Sequence, residues 1–183
     1  MSMMSPIAPA PMRRLTVAQG DSIASTDPNV EFTTVLGSCV AVCLHDGCAG
    51  VGGMNHFLLA EPAAIANEEA RLLNRYGVHS MELLINEMLK RGAMRHNLKA
   101  RIYGGATMRQ GLGEIGNANI HFARRFLANE SIQILGENVG GTSARRVEFR
   151  PFAGLSRCKT VSVQPVEQIV KTYTPDAGDV ELF

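Results

Sequence analysis

Short runs of apolar and β-branched residues dominate the first third of the chain and predict β-strands. Such runs occupy residues 32–36, 40–44 and 51–59, and each is bounded by glycine or polar residues. Between the second and third runs, Asp46-Gly47 is a typical turn sequence. We therefore expect the second and third runs to pair as an antiparallel β-hairpin.

The clearest helix is predicted over residues 80–91, where apolar residues recur at helical spacing at Met81, Leu84, Ile85, Met88 and Leu89. Ser80 is a typical N-cap and Gly92 a typical stop. A second helix is predicted over 117–129. Further strands are predicted over 99–103, 132–135, 145–150 and 160–163. Because helices and strands do not alternate regularly, the pattern predicts an α+β fold, a mixed β-sheet layered with helices rather than a doubly wound parallel sheet.

Length and composition predict one globular domain with loose ends. The chain has 183 residues, of which 45% are hydrophobic and 19% charged, close to the averages for globular proteins. Residues 1–14 are rich in Met, Ser, Pro and Ala, and residues 173–183 are polar with Pro175 and Gly178. We expect a flexible tail over 1–14, a catalytic domain over 15–165 and a partly loose extension over 166–183.

Charge and hydropathy disfavour several classes of function. Basic and acidic residues number 18 and 17, whereas a nucleic-acid or membrane-surface protein would need a basic excess. No run approaches the roughly 20 apolar residues that cross a bilayer, and the start lacks the apolar core of a secretory signal. We therefore expect a cytoplasmic protein without membrane insertion. Its four cysteines, Cys39, Cys43, Cys48 and Cys158, are then expected to be reduced.

The densest chemistry lies between Thr33 and His56. If the hairpin sets His45 opposite Gly50, it also sets Cys39 directly opposite His56, with Cβ atoms about 4.5–5.5 Å apart. A thiol has a pKa of about 8.5, so a neighbouring imidazole is needed to take its proton near neutral pH. Gly37 and Ser38 allow a tight turn whose N–H groups can stabilise an oxyanion. A third group, the Thr33 hydroxyl or a backbone carbonyl, would orient the histidine.

Other interpretations of these residues remain open. A cysteine in an apolar strand is usually a small hydrophobic residue, which is how we interpret Cys43 and Cys158. The group Cys39, Cys43, Cys48, His45 and His56 suggests a zinc site, but its cysteines lack the paired C-x-x-C spacing of structural zinc. The glycine pairs at 52–53, 104–105 and 140–141 form neither a dinucleotide motif nor a P-loop. We expect no metal and no cofactor.

Several ordered segments resemble the chemoreceptor glutamine deamidase family, CheD. They are 33–44 (TTVLGSCVAVCL), 53–59 (GMNHFLL), 103–108 (YGGATM), 115–120 (IGNANI), 139–141 (VGG) and 145–147 (RRV). Each segment alone is a weak signal, but their order and spacing together are specific. The resemblance extends from about residue 15 to residue 165.

The resemblance implies a cysteine hydrolase that deamidates glutamines on the cytoplasmic helices of methyl-accepting chemotaxis receptors. It implies Cys39 as nucleophile, His56 as base and Thr33 as the third catalytic residue. The implied fold is α+β, a layered α/β sandwich with mixed β-sheets and helices packed on the outside. The same attack would hydrolyse a glutamyl methyl ester. A CheC-like phosphatase is a second partner that the resemblance suggests. The competing hypothesis is a non-catalytic adaptor that binds such a phosphatase or a receptor.

Overall fold

The computed structural model describes residues 11–59, 67–107 and 113–161. Within them lie nine β-strands, two α-helices and a 3₁₀ turn at Arg95–Asn97. The strands are β1 (Arg13–Thr16), β2 (Ser22–Ser25), β3 (Val30–Leu36), β4 (Val40–Asp46), β5 (Val51–Asn55), β6 (Lys99–Gly104), β7 (Gln133–Val139), β8 (Ala144–Arg150) and β9 (Leu155–Val161). The helices are α1 (Asn67–Lys90) and α2 (Gly113–Asn129).

The strands form two mixed sheets. Sheet A has the order β1-β3-β8-β9, and sheet B has the order β2-β5-β4-β6-β7. The pairs β1–β3 and β6–β7 are parallel, and the other neighbouring strands are antiparallel. The predicted α+β sandwich with mixed sheets is thereby confirmed.

Two apolar layers separate sheet A, sheet B and the helices. The layer between the sheets includes Phe32, Leu36, Met54, Tyr103 and Phe149. The layer between sheet B and the helices includes Val42, Leu44, Leu84, Ile85 and Phe126. Strand β4 lies between these layers and is therefore buried along almost its whole length. This explains why its sequence is a continuous apolar run rather than an alternating one.

The predicted start of the first helix is wrong. Helix α1 begins at Asn67, and Ser80 lies buried inside it rather than at its N-cap. The side chain of Asn55 donates to the Ser80 hydroxyl at 3.3 Å. A serine in the middle of a helix is thus satisfied by a partner from sheet B, which local sequence rules cannot anticipate.

The strand predictions also need correction at three places. Strands β1 and β2 were not predicted, because four residues are too few to show a periodicity. β1 begins at Arg13, inside the segment predicted to be a tail, and residues 1–10 lie outside the described residues. β9 begins at Leu155 rather than at residue 160, and the predicted extension over 166–183 is also outside the described residues.

The β4–β5 hairpin forms as predicted, but in a different register. His45 lies opposite Gly52, Cys43 opposite Met54, and an isolated bridge joins Val40 to Phe57. The prediction that His45 faces Gly50 is therefore wrong by two residues. A shift of two leaves every side chain on its predicted face of the sheet. No helix in the described part of the chain is long and apolar enough to cross a membrane.

Candidate active site

Cys39 lies on the short turn through which the chain passes from sheet A to sheet B. The turn joins the end of β3 at Leu36 to the start of β4 at Val40. Its carbonyls are held from the loop after β6: the Gly105 N–H donates to the Cys39 carbonyl at 2.7 Å and the Ala106 N–H donates to the Gly37 carbonyl at 2.8 Å. The backbone around Cys39, the candidate nucleophile, is therefore held in place by hydrogen bonds from Gly105 and Ala106.

Asn119 on α2 fixes the same turn from the other side. Its side chain is fully buried. The amide donates to the Ser38 carbonyl at 2.9 Å, and the side-chain oxygen accepts from the Leu59 N–H at 2.8 Å. Asn119 thus ties the cysteine turn to the segment that follows His56. The sequence analysis assigned it no role, although it lies in the IGNANI segment, because only the fold shows what it contacts.

Arg145 supports the loop that holds Cys39, and sequence reasoning also missed it. It is nine-tenths buried. Its guanidinium donates to the Asn138 side chain at 2.6 Å and to the carbonyls of Gly104 and Gly140. The Gly140 N–H in turn donates to the Gly104 carbonyl at 2.9 Å. Two of the three glycine pairs noted in the sequence, 104–105 and 140–141, therefore meet here in one hydrogen-bonded cluster.

His56 follows β5 and lies at the same end of the space between the sheets as Cys39. The next residue, Phe57, exchanges two backbone hydrogen bonds with Val40, at 3.0 and 2.9 Å. Extending this pairing makes Cys39 and His56 diagonal rather than direct neighbours, a separation of roughly 7–8 Å between Cα atoms that long side chains can bridge. The predicted direct pairing is therefore wrong, and contact between the two side chains stays a prediction.

The hydrogen bonds of His56 define its tautomer. Its Nδ1 lies 2.9 Å from the Thr34 hydroxyl and 3.3 Å from the Val17 carbonyl. The Thr34 hydroxyl donates its only proton to the same Val17 carbonyl at 2.8 Å. Both partners of Nδ1 therefore act as acceptors, so the network assigns the proton to Nδ1 and the free electron pair to Nε2.

The threonine against His56 is Thr34, whereas the resemblance indicated Thr33. Thr34 lies on the inner face of β3 with Phe32 and Leu36, and Thr33 lies on the outer face. Thr33 contributes its backbone carbonyl, which accepts from the Val17 N–H at 2.9 Å. The structure thus places Cys39 and His56 at the same end of the space between the sheets, whereas the Thr33 side chain lies on the other face of β3.

A tight turn between β1 and β2 covers the site. The Gly20 N–H donates to the His56 carbonyl at 2.7 Å, and the His56 N–H donates to the Asp21 carbonyl at 3.1 Å. The side chain of Gln19, exposed on this turn, reaches Cys39, whose thiol donates to the Gln19 Oε1 at 3.4 Å. No motif in the sequence pointed to this contact.

Burial keeps both reactive groups neutral at rest. It raises the pKa of the Cys39 thiol, and the residue's own backbone N–H offsets this only in part. It also lowers the pKa of His56, against the smaller effects of the Val17 carbonyl and the Asp21 charge. His56 is only 7% exposed, and its Nε2 has no hydrogen-bond partner among the described residues. A neutral thiol and a neutral imidazole with a free Nε2 are suited to proton transfer at the moment of attack.

The remaining cysteines lie in different surroundings. Cys43 is buried between the sheets, where burial raises its pKa, and Cys48 is exposed on the β4–β5 turn. Burial also raises the pKa of Cys158 on β9. Within the described residues, no group of three or more His, Cys, Asp and Glu side chains is arranged to hold a metal ion.

Comparison with known proteins places these features in a family context. A family model described as CheD chemotactic sensory transduction matches residues 58–160. The matched range contains the supporting residues Gly104, Asn119 and Arg145, and it begins just after His56. Full-length relatives extend the similarity over the catalytic candidates.

Two such relatives are both named probable chemoreceptor glutamine deamidase CheD. The protein from Zymomonas mobilis is 54% identical over 173 residues, and the match covers 93% of each chain. The protein from Caulobacter vibrioides is 47% identical over 176 residues, again covering 93% of each chain. Among solved structures, Neisseria meningitidis protein NMB0706 is 10% identical, with 72% of this chain and 65% of that chain covered and a TM-score of 0.46.

Proposed function

Because this chain belongs to the CheD family, we propose that it is a protein-glutamine deamidase that converts glutamines of chemotaxis receptors to glutamate. The observation that carries the proposal is the state of His56. Its Nδ1 proton is held by Thr34 and Val17, so that Nε2 remains as a base at the end of the sheets where Cys39 lies. A cysteine with an oriented base is the arrangement that acyl transfer requires.

In the proposed reaction, His56 takes the thiol proton as the Cys39 sulfur attacks the carboxamide carbon of the substrate glutamine. The tetrahedral intermediate collapses when His56 returns the proton to the nitrogen, which leaves as ammonia. A thioester remains on Cys39. Water then attacks the thioester, with His56 again as base, and releases glutamate and the free thiol. The net change is one water consumed and one ammonia produced.

The turn around Cys39 supplies the electrostatic part of the mechanism. The Gly37 and Cys39 carbonyls are held by Ala106 and Gly105, and the Ser38 carbonyl is held by Asn119. The peptide groups of the turn are therefore fixed in orientation before substrate arrives. We assign the N–H groups of Ser38 and Cys39 as donors to the developing oxyanion, since preorganised donors of this kind stabilise such intermediates by about 3–4 kcal/mol.

The proposed substrate is a glutamine on a cytoplasmic receptor helix. Deamidation adds one negative charge there, which changes helix packing and can bias signalling. The same thiol attack extends to a glutamyl methyl ester, with methanol leaving in place of ammonia. A CheC-like phosphatase is the second partner we propose.

The decisive measurement is mass spectrometry of a chemoreceptor cytoplasmic fragment after incubation with wild-type protein or with Cys39→Ala. We expect a gain of about one dalton at particular glutamines with the wild type alone, since deamidation replaces NH₂ by OH at a thiol-dependent step. The matched control is Cys48→Ala, because Cys48 is exposed and lies on a different turn. That variant should deamidate like the wild type.

The opposite outcomes are equally informative. Deamidation that persists in Cys39→Ala would remove this residue from the mechanism. No mass change with any variant, on several folded receptor fragments, would favour the adaptor hypothesis. The next experiment would then be a binding measurement with a purified CheC-like phosphatase.

A further inference from the structure

One contact in the site involves the chemical group on which the proposed enzyme acts. Gln19 carries a primary carboxamide, and its Oε1 accepts a hydrogen bond from the Cys39 thiol at 3.4 Å. Its carboxamide carbon is one bond, about 1.2 Å, from that oxygen and so is close to the sulfur. A glutamine side chain of the chain itself therefore lies against the nucleophile.

The turn that carries Gln19 is built into the site. Val17 accepts hydrogen bonds from Thr34 and His56, and the Ala18 carbonyl accepts from the Asp21 N–H at 3.0 Å. The Asp21 side chain closes the turn by accepting from the Ala18 N–H at 3.0 Å. Gly20 adopts φ +96, a conformation that favours glycine. Together with the two backbone hydrogen bonds to His56, these contacts set the position from which Gln19 reaches Cys39.

The second observation concerns His56. Its imidazole is buried, yet Nε2 has no hydrogen-bond partner among the described residues. A buried acceptor without a partner costs about 1–3 kcal/mol, so such atoms usually await a ligand or a reacting group. In this structure the thiol that His56 would serve donates to Gln19 instead.

We propose that the turn over 17–21, Cys39 and His56 form the subsite for the carboxamide of the substrate, and that Gln19 occupies this subsite in cis until the substrate displaces it. The inference rests on the proposed deamidase function and names the ligand class of its site, a primary carboxamide. Gln19 acts as an internal competitor, and its hydrogen bond holds the thiol away from its base.

The competition has a calculable effect. An occupied fraction of the subsite reduces the apparent affinity for substrate in proportion to the fraction that remains free. If Gln19 fills the subsite about nine-tenths of the time, removing its side chain lowers KM roughly tenfold. The same substitution exposes the thiol to small reagents.

The test measures labelling of Cys39 with a neutral thiosulfonate reagent, resolved by peptide mass spectrometry in wild type, Gln19→Ala and Gln133→Ala. Gln133 is an exposed glutamine on β7 and serves as the matched control. Cys48, exposed on a separate turn, is the internal reference within each protein. We expect the Cys39-to-Cys48 labelling ratio to rise about threefold or more in Gln19→Ala alone. Added propionamide should slow Cys39 labelling more in Gln19→Ala than in wild type.

Receptor kinetics and the mass of the Gln19 peptide complete the experiment. A lower KM in Gln19→Ala supports the proposal, as does conversion of Gln19 to glutamate in wild type but not in Cys39→Ala. An unchanged labelling ratio overturns it, and so does a raised KM, which would make Gln19 a contact for substrate. Thiol labelling needs no receptor. The labelling result can therefore be interpreted even if the protein shows no deamidase activity. A raised ratio with propionamide protection would then still establish a carboxamide subsite.

Discussion

At the scale of the residue, the Thr34 hydroxyl determines which ring nitrogen of His56 carries the proton. Thr34 gives its proton to the Val17 carbonyl and so must accept from the His56 Nδ1. This arrangement leaves Nε2 as the base, which is the role that an orienting group plays in nucleophilic triads. The neighbouring Thr33 faces the outside of sheet A, although the family resemblance points to it as the third catalytic residue. The two threonines therefore form a natural matched pair.

Thr34→Val should lower kcat for receptor deamidation, whereas Thr33→Val should have a smaller effect. A net hydrogen bond of about 1–1.5 kcal/mol corresponds to a loss of about five- to tenfold when His56 is no longer oriented. Steady-state kinetics of both variants would measure this difference. Thr34→Ser keeps the hydroxyl and should restore most of the rate. A larger loss in Thr33→Val than in Thr34→Val would return the catalytic role to Thr33.

At the scale of the element, the end of β6 determines where Cys39 sits. Gly104 has φ +104, and a Cβ built there would lie 2.2 Å from the Cys39 carbonyl oxygen. Real Cβ atoms do not approach a backbone oxygen so closely, and that oxygen is already bonded to the Gly105 N–H. The close approach of β6 to the cysteine turn is thus possible only because the strand ends in glycine.

Gly104→Ala should reduce deamidation severely, because the cysteine turn must move to admit the methyl group. The matched control is Gly92→Ala: Gly92 follows α1, also has a positive φ (+93), and has nothing within 4 Å of its Cβ position. Both variants carry a backbone strain of roughly 1–2 kcal/mol, which chemical denaturation would measure. Only Gly104→Ala should also lose activity. Equal activity in the two folded variants would show that the turn tolerates displacement.

At the scale of the whole molecule, the site depends on how closely the two sheets approach. Cys39 is on the crossing between them, His56 follows a strand of sheet B, and its partner Thr34 belongs to sheet A. The sheets touch at Gly52, where an added Cβ would lie 2.2 Å from the Pro151 carbonyl oxygen. Separation of the sheets would therefore pull the base away from the hydroxyl that orients it.

Gly52→Ala should destabilise the protein by about 1–3 kcal/mol or more, the usual cost of overpacking a close contact. Here the neighbour is backbone and cannot turn aside as a flexible side chain would. Gly47→Ala is the control, because its Cβ would meet the His45 ring at an ordinary 3.5 Å. Urea unfolding of both variants would provide the comparison. Equal stability would indicate that the two sheets can move apart at no cost.

The sequence by itself determined the residue types, the hairpin and the face on which Cys39 and His56 lie. Side chains in a strand alternate with period two, so even a register wrong by two residues kept both on the side that faces sheet A. The apolar stripe likewise located the second half of α1, because that stripe is the face buried against sheet B. These features depend on residues close in sequence, or on the two-residue alternation of a strand, which a register error of two residues does not change.

Only the tertiary structure decided which groups complete the site. The cysteine turn receives Asn119 from α2 and Gln19 from the β1–β2 turn, and His56 receives Thr34 from β3. Arg145 on β8 holds Gly104, next to the glycine that supports the cysteine turn. These hydrogen bonds join residues far apart in the chain. Polar side chains have no periodicity in the sequence that identifies such partners. The tight turn that brings Gln19 to the Cys39 thiol carries no recognisable motif. Which threonine faces the histidine depends on the pairing of sheet A against sheet B. That pairing is set by the close packing of all three layers rather than by any local run of residues.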